Sequence, residues 1–167
     1  MKEFETSCNF HICQNPNRRT RFDADTSDRI CNSLYEMQFC LGARGGGFID
    51  CMGLIIRYMR EFGISIPNSA VLEDWEKYDE PDSYLSKLFR KLARDETPEL
   101  GDILIFHHRF EPGRVGHSAV CLGGGNFIHA GVASGVNPFL PVGGVFICDF
   151  EDSLWKGRLY TGFRFRE

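Results

Sequence analysis

Cys51 follows a glycine-rich stretch, Gly42-Ala43-Arg44-Gly45-Gly46-Gly47, and comes directly after Asp50, a good helix N-cap. A cysteine in the first turn of a helix meets unpaired N–H groups and the positive end of the helix dipole, and both stabilise a thiolate. The thiolate is the reactive form, so the position suits a nucleophile in acyl transfer. Placement alone leaves a second reading, a small residue buried on the inner face of the helix.

Histidines at 11, 107, 108, 117 and 129 supply candidate bases. His107 and His108 follow an apolar run in a polar stretch and read as a solvated loop. His117 opens the run His117 to Leu122, and His129 lies within Phe127-Ile128-His129-Ala130. If Gly123-Gly124-Gly125 is the whole hairpin loop, Leu122 pairs with Asn126 and His129 lies opposite Ala119. His117 is then a diagonal neighbour on the same face, about 7–8 Å away along the backbone. One ring can orient the other, as the third member of a catalytic triad does. A four-residue loop would put the rings on opposite faces, and His129 would then read as a hydrogen-bonded core histidine. Cys8, His11 and Cys13 form a tight cluster, but three candidate ligands without a partner pair are a weak metal signal.

Elements that could hold these residues follow from the apolar periodicity. Ser27 to Phe39 reads as a helix, with Ile30, Leu34 and Met37 at helical spacing. The clearest helix runs from Asp50, with Leu54, Ile55, Tyr58, Met59 and Phe62 on one face, to a stop at Gly63 before Pro67. The charged stretch 68–98 repeats Leu85, Leu88, Phe89 and Leu92 at helical spacing and reads as one or two helices. From residue 99 the period becomes that of strands: 103–106, 117–122, 126–130, 145–150 and 159–165. Helices followed by a meander of about five antiparallel strands make an α+β fold. Residues 1–26 read as an arm or irregular lead-in, and 27–167 as one domain with a helical insert at about 70–97.

The totals exclude some partners. The 167-residue chain carries a net charge of −4, which favours neither nucleic acid nor an anionic membrane surface. Met1 to Phe10 lacks the apolar core of a secretory signal, and the chain contains no run long enough to span a membrane. The reading is a protein made in the cytoplasm that leaves, if it does, by a non-classical route. Seven irregularly spaced cysteines argue against a disulfide framework. Cys121 and Cys148 sit in apolar runs and read as buried thiols.

Four segments in order resemble the NlpC/p60 cysteine peptidases of the papain-like superfamily. Ile49-Asp50-Cys51-Met52-Gly53-Leu54-Ile55-Ile56 resembles their nucleophile motif. Pro98-Glu99-Leu100-Gly101-Asp102-Ile103-Leu104-Ile105-Phe106 resembles the strand before their histidine. Val115-Gly116-His117-Ser118-Ala119-Val120 resembles the catalytic-histidine strand, and Gly125-Asn126-Phe127-Ile128-His129-Ala130 the strand of the third polar residue. The resemblance covers roughly 27–165. The charged insert and the ending, Asp152-Ser153-Leu154-Trp155 through Thr161-Gly162-Phe163-Arg164-Phe165, lean towards the phage-like, tail-associated branch. Met52 stands where many members carry Ser, and Phe39 replaces a Tyr, losing a hydroxyl.

What the resemblance implies is a Cys51–His117–His129 site that hydrolyses a D-glutamyl–diamino-acid type bond in peptidoglycan stem peptides, without metal or organic cofactor. It also implies phage tail proteins as partners and a virion-associated or wall-released location. The rival expectations are a thiol amidase, deamidase or transacylase with a non-wall substrate, and a virion structural protein whose site does not turn over.

Overall fold

The computed structural model describes residues 21–108, 110–111, 113–132, 143–152 and 154–167. The Cys8, His11, Cys13 cluster and most of the expected lead-in lie outside them. Helix α1 (Ala24–Leu34) starts three residues ahead of the expected boundary, because the Asp23 carboxylate accepts the Thr26 N–H at 2.8 Å and caps it there. It ends at Leu34 instead of Phe39, and Gln38–Phe39 becomes strand β1. Strand β2 (Arg44–Gly45) follows within the glycine-rich stretch and β3 (Phe48–Ile49) directly after it.

Helix α2 (Cys51–Glu61) is the centre of the core. Leu54, Ile55, Tyr58, Met59 and Phe62 are all buried, as their spacing requires. Gly63, at φ 72°, turns the chain out of the helix, and the Ile64 N–H returns to the Met59 carbonyl at 2.9 Å. Tyr58 also hydrogen-bonds Ser27 of α1 at 2.8 Å, which ties the two helices together.

The charged stretch is less helical than its leucine spacing suggests. It holds a 3-10 turn (Leu72–Trp75), a short helix α3 (Tyr84–Leu88) and a strand β4 (Phe89–Lys91). Strand β4 pairs antiparallel with β9 (Leu159–Phe165), so part of the expected insert joins the sheet. Phe89 leaves the helical register to bury against Trp75 and Phe165. The remaining strands are β5 (Ile103–His107), β6 (Val115–Gly123), β7 (Asn126–Val132) and β8 (Gly143–Asp149).

Among the described residues, one sheet runs in the order β2-β3-β1-β8-β7-β6-β5-β9-β4. The α+β class holds, but nine strands replace the expected five or so. The additional four are two or three residues long, too short to show a period. β1 and β3 pair in parallel, so the sheet is mixed and not wholly antiparallel. Alternation sorts the side chains of β5: Ile103 and Ile105 face the helices, while Leu104 and Phe106 join a smaller cluster with Ala119, Cys121 and Phe127 on the other face.

The β6–β7 hairpin reaches the expected register by a different turn. Gly123 pairs with Asn126, leaving Gly124 (φ 60°) and Gly125 (φ 87°) as a two-residue loop of the type that needs two left-handed residues. Alone, that turn would move His129 to the opposite face from His117. An irregularity between Cys121 and Gly123 makes Leu122 a bulge. It restores the pairs Cys121–Phe127 and Val120–Ile128, and with them the shared face.

Candidate active site

Asp50 builds the entrance to α2. Its Oδ1 accepts the Gly53 N–H at 2.6 Å, its Oδ2 accepts the Gly42 N–H at 2.8 Å, and Arg44 donates a short bond to Oδ1. Arg44 also donates to the carbonyl oxygens of Ala70 and Ala43, so one guanidinium fastens the glycine-rich loop to the chain beyond α2. Gly53 is required by space: a Cβ there would lie 2.6 Å from the Ala43 carbonyl oxygen. Together these contacts fix Cys51 at the first helical position, where the backbone N–H has no partner within the helix.

Met52 faces the other way. Its sulfur accepts the Trp75 indole N–H at 3.3 Å and lies 3.7 Å from the Ser118 hydroxyl. Ser118 follows His117 on β6, so the two sides of that strand serve two purposes: one braces α2, the other presents the imidazole.

His117 and His129 meet. His117 Nε2 lies 3.1 Å from His129 Nδ1, with the rings nearly perpendicular at 83°. Trp155 packs on both, with ring centres 5.3 Å from His117 and 4.8 Å from His129, and the Arg158 guanidinium lies over the indole at 4.8 Å. The second nitrogen of His129, Nε2, faces the Cys148 sulfur at 3.4 Å. Gly131 leaves room for the pair, since a Cβ there would come within 3.3 Å of His129 Nδ1.

Cys51, His117 and His129 line one cleft of about 530 Å³, where the start of α2 meets the ends of β6 and β7. No hydrogen bond joins Cys51 to His117 among the described residues; thiol–imidazole contacts of this kind often tighten only with substrate. Burial pushes the Cys51 thiol up from its ordinary value, and the Asp50 carboxylate adds to the push against hydrogen bonds from Ser118. Burial holds His117 well below the usual imidazole range, and the charges of His129 and Arg158 act the same way. His129 is pushed down to about 4, by burial first, against the Ala130 backbone and with Arg158 adding to the effect. These shifts all favour the neutral thiol and the neutral imidazoles. Burial of the sulfur opposes the stabilisation that a helix start offers a thiolate.

The NlpC/P60 family model matches residues 36–164. The chain belongs to the NlpC/P60 family. It is similar to an NLP/P60-family protein of Staphylococcus aureus described as similar to a lipoprotein, at 25% identity and TM-score 0.59, over 89% of this chain and 44% of that one. An NlpC/P60 family protein of Bacillus cereus shares the fold at 19% identity and TM-score 0.61, over 86% and 40%. The NlpC/p60 domain of the peptidoglycan hydrolase SagA does so at 17% identity and TM-score 0.51, over 86% and 99%. This chain spans less than half the length of the first two. No curated protein matches it.

Around this NlpC/P60 cleft stand residues whose part the sequence did not reveal. Arg44 read as one residue of a flexible loop, and Trp155 only as part of the ending that resembles the phage-like branch. His107 is the last residue of β5 and packs on Tyr160, so it is no loop residue, while His108 lines the cleft. Cys148 is half-buried and bonded to His129, where its apolar run suggested plain burial. The described cysteines 31, 40, 51, 121 and 148 are free thiols. Phe39 lines the cleft and presents an apolar ring there. Among the described residues no set of three metal-ligating side chains converges, and no helix is long and apolar enough to cross a membrane.

Proposed function

We propose that this NlpC/P60 protein is a cysteine hydrolase that cleaves an amide bond in peptidoglycan stem peptides, of the D-glutamyl–diamino-acid type. One observation carries the reading: Cys51, at the first turn of α2, lines the same cleft as the hydrogen-bonded pair His117–His129. With Nε2 of His117 engaged by His129, Nδ1 is the nitrogen left to take the Cys51 proton. The sulfur attacks the amide carbonyl as that proton leaves, and the Cys51 backbone N–H steadies the oxyanion. His117 returns the proton to the departing amine as the C–N bond breaks. Water, deprotonated by the same imidazole, then opens the thioester and restores the thiol. His129 orients His117 throughout.

Family membership supports the thiol chemistry, and the fold shared with a domain named as a peptidoglycan hydrolase supports the wall substrate. A phage tail setting, with tail proteins as partners and release to the wall, belongs to the same proposal and is supported by the resemblance of residues 152–165. One observation favours a second reading, a thiol amidase or acyltransferase on a substrate with an apolar group. Leu41 and Phe110, 83% and 79% exposed, stand with Val71 and Val132 at the rim of the cleft. The deciding experiment is mass spectrometry of purified muropeptides, and of N-acyl and peptide amides, after incubation with wild-type protein and with Cys51→Ala. Stem-peptide fragments from the wild type alone support the first reading. Turnover of acylated amides alone replaces it with the second.

A further inference from the structure

His117, His129 and Cys148 lie on three adjacent strands, β6, β7 and β8, and project from one face of the sheet. His129 pairs with Phe146, and Cys148, two residues on, shares its face. The spacings along the row are 3.1 Å from His117 Nε2 to His129 Nδ1 and 3.4 Å from His129 Nε2 to the Cys148 sulfur. We propose that Cys148 is a positioning residue of the site, its sulfur accepting the Nε2–H of His129 and so holding the tautomer in which His129 can accept from His117. The inference rests on the function proposed above.

The argument follows the protons. To take a proton from Cys51 at Nδ1, neutral His117 must carry its own on Nε2. That N–H points at His129 Nδ1, which must then be bare. The proton of neutral His129 therefore sits on Nε2, opposite the sulfur of Cys148. The reversed chain, S–H to Nε2 and Nδ1–H to His117, would place the His117 proton on Nδ1 and leave no base. Once His117 is an imidazolium, only the first direction remains possible.

Trp155 covers both imidazoles, so indole and rings form one closed group beside the sulfur. Cys51, and not Cys148, is the thiol among the described residues that line the cleft, so Cys148 acts through His129. The charged groups that bear on the row are Arg158, beside both histidines, and Asp152, beside Cys148; the Ala130 backbone also contacts His129.

The test needs no substrate. In uniformly 15N-labelled wild-type protein, long-range 1H–15N correlations, assigned with His117→Gln and His129→Gln, should show His129 as the Nε2–H tautomer. Cys148→Ala should move it towards Nδ1–H and slow alkylation of Cys51 by iodoacetamide about three- to tenfold, the worth of one neutral hydrogen bond. Cys148→Ser, which keeps an acceptor, should restore both readouts. In turnover the alanine loss should fall on kcat and not on KM. An Nδ1–H tautomer in the wild type overturns the inference without any Cys148 variant. So does a Cys148→Ala protein with unchanged tautomer and alkylation rate. If the tautomer behaves as described but Cys51→Ala keeps full hydrolysis, the function reading fails separately.

Discussion

The indole N–H of Trp75 donates to the sulfur of Met52 across 3.3 Å, so the charged insert is hooked to α2 one residue past Cys51. Met52 is buried, 1% exposed, and a serine there cannot fill the space. Met52→Ser should lose about 2–4 kcal/mol, the range for removing a large core side chain. Met52→Leu keeps the volume but not the acceptor and should lose about 1 kcal/mol. Urea unfolding should rank wild type above Leu above Ser. A serine variant as stable as the wild type would show that the Trp75 contact contributes nothing.

Asp50 accepts from Gly53, Gly42 and Arg44 at once. Asp50→Ala removes the cap and leaves Arg44, largely buried against the loop, without its carboxylate. A loss of about 3 kcal/mol is expected, more than a cap alone gives. Asp50→Asn keeps one acceptor for Gly53 and should lose less. Chemical denaturation of the two variants checks the order.

How much of this was legible in the sequence depends on length and repetition. Helix α2 shows its N-cap, one apolar face and a terminal glycine, so its span is readable. β5 to β9 are long enough to alternate, whereas β1 to β4 offer two or three residues each, and pairing alone defines them. Leu85, Leu88 and Phe89 fit a helical period, yet Phe89 belongs to a strand, because a short window serves both patterns. The shared face of His117 and His129 follows from an odd-numbered loop. The structure reaches it with a two-residue turn and a compensating bulge at Leu122 that leaves no mark in composition. Trp155 and Cys148 are placed by contacts across the sheet, for which single-chain spacing has no signal.

A resting thiol held neutral by burial makes a kinetic prediction. Where a thiolate–imidazolium pair already exists, alkylation stays fast at acid pH. Here the Cys51 thiol is pushed up and His117 held down, so alkylation of Cys51 by a neutral reagent should keep rising with pH above neutrality. Peptide mass mapping of iodoacetamide labelling from pH 5 to 10 separates Cys51 from exposed Cys40. A flat acid plateau for Cys51 would contradict a neutral resting pair.

In the proposed mechanism His129 offers His117 an acceptor and need not itself titrate. His129→Gln or His129→Asn should therefore retain part of the activity, and His129→Ala should lose more. His117→Asn should be nearly dead, since an amide takes no thiol proton at neutral pH. Loss of tautomer control can cost orders of magnitude, so kcat/KM for the four variants is read for its order. An alanine variant equal to the glutamine one would leave His129 a packing residue.

The histidine pair also marks stability against pH. His129 is 5% exposed and its folded value falls from 6.5 to about 4. A base with a lowered folded pKa binds its proton first in the unfolded chain. Its contribution is complete above pH 6.5 and is lost as pH falls from 6.5 towards 4, with His117 acting in the same direction. For His129 the interval corresponds to about 3 kcal/mol. Two carboxylates act elsewhere or oppositely. Glu96, lowered to about 2 chiefly by Arg90, loses its contribution only below 4.5. Asp102, raised by burial, is protonated first in the folded state and gains stability as pH falls. Both are present in wild type and in His129→Gln, so they cancel in the difference. Urea midpoints from pH 7.5 to 4.5 should fall steeply for the wild type and less for His129→Gln, the gap between the curves changing by about 2–3 kcal/mol. Parallel curves would mean that His129 is not buried as a neutral ring.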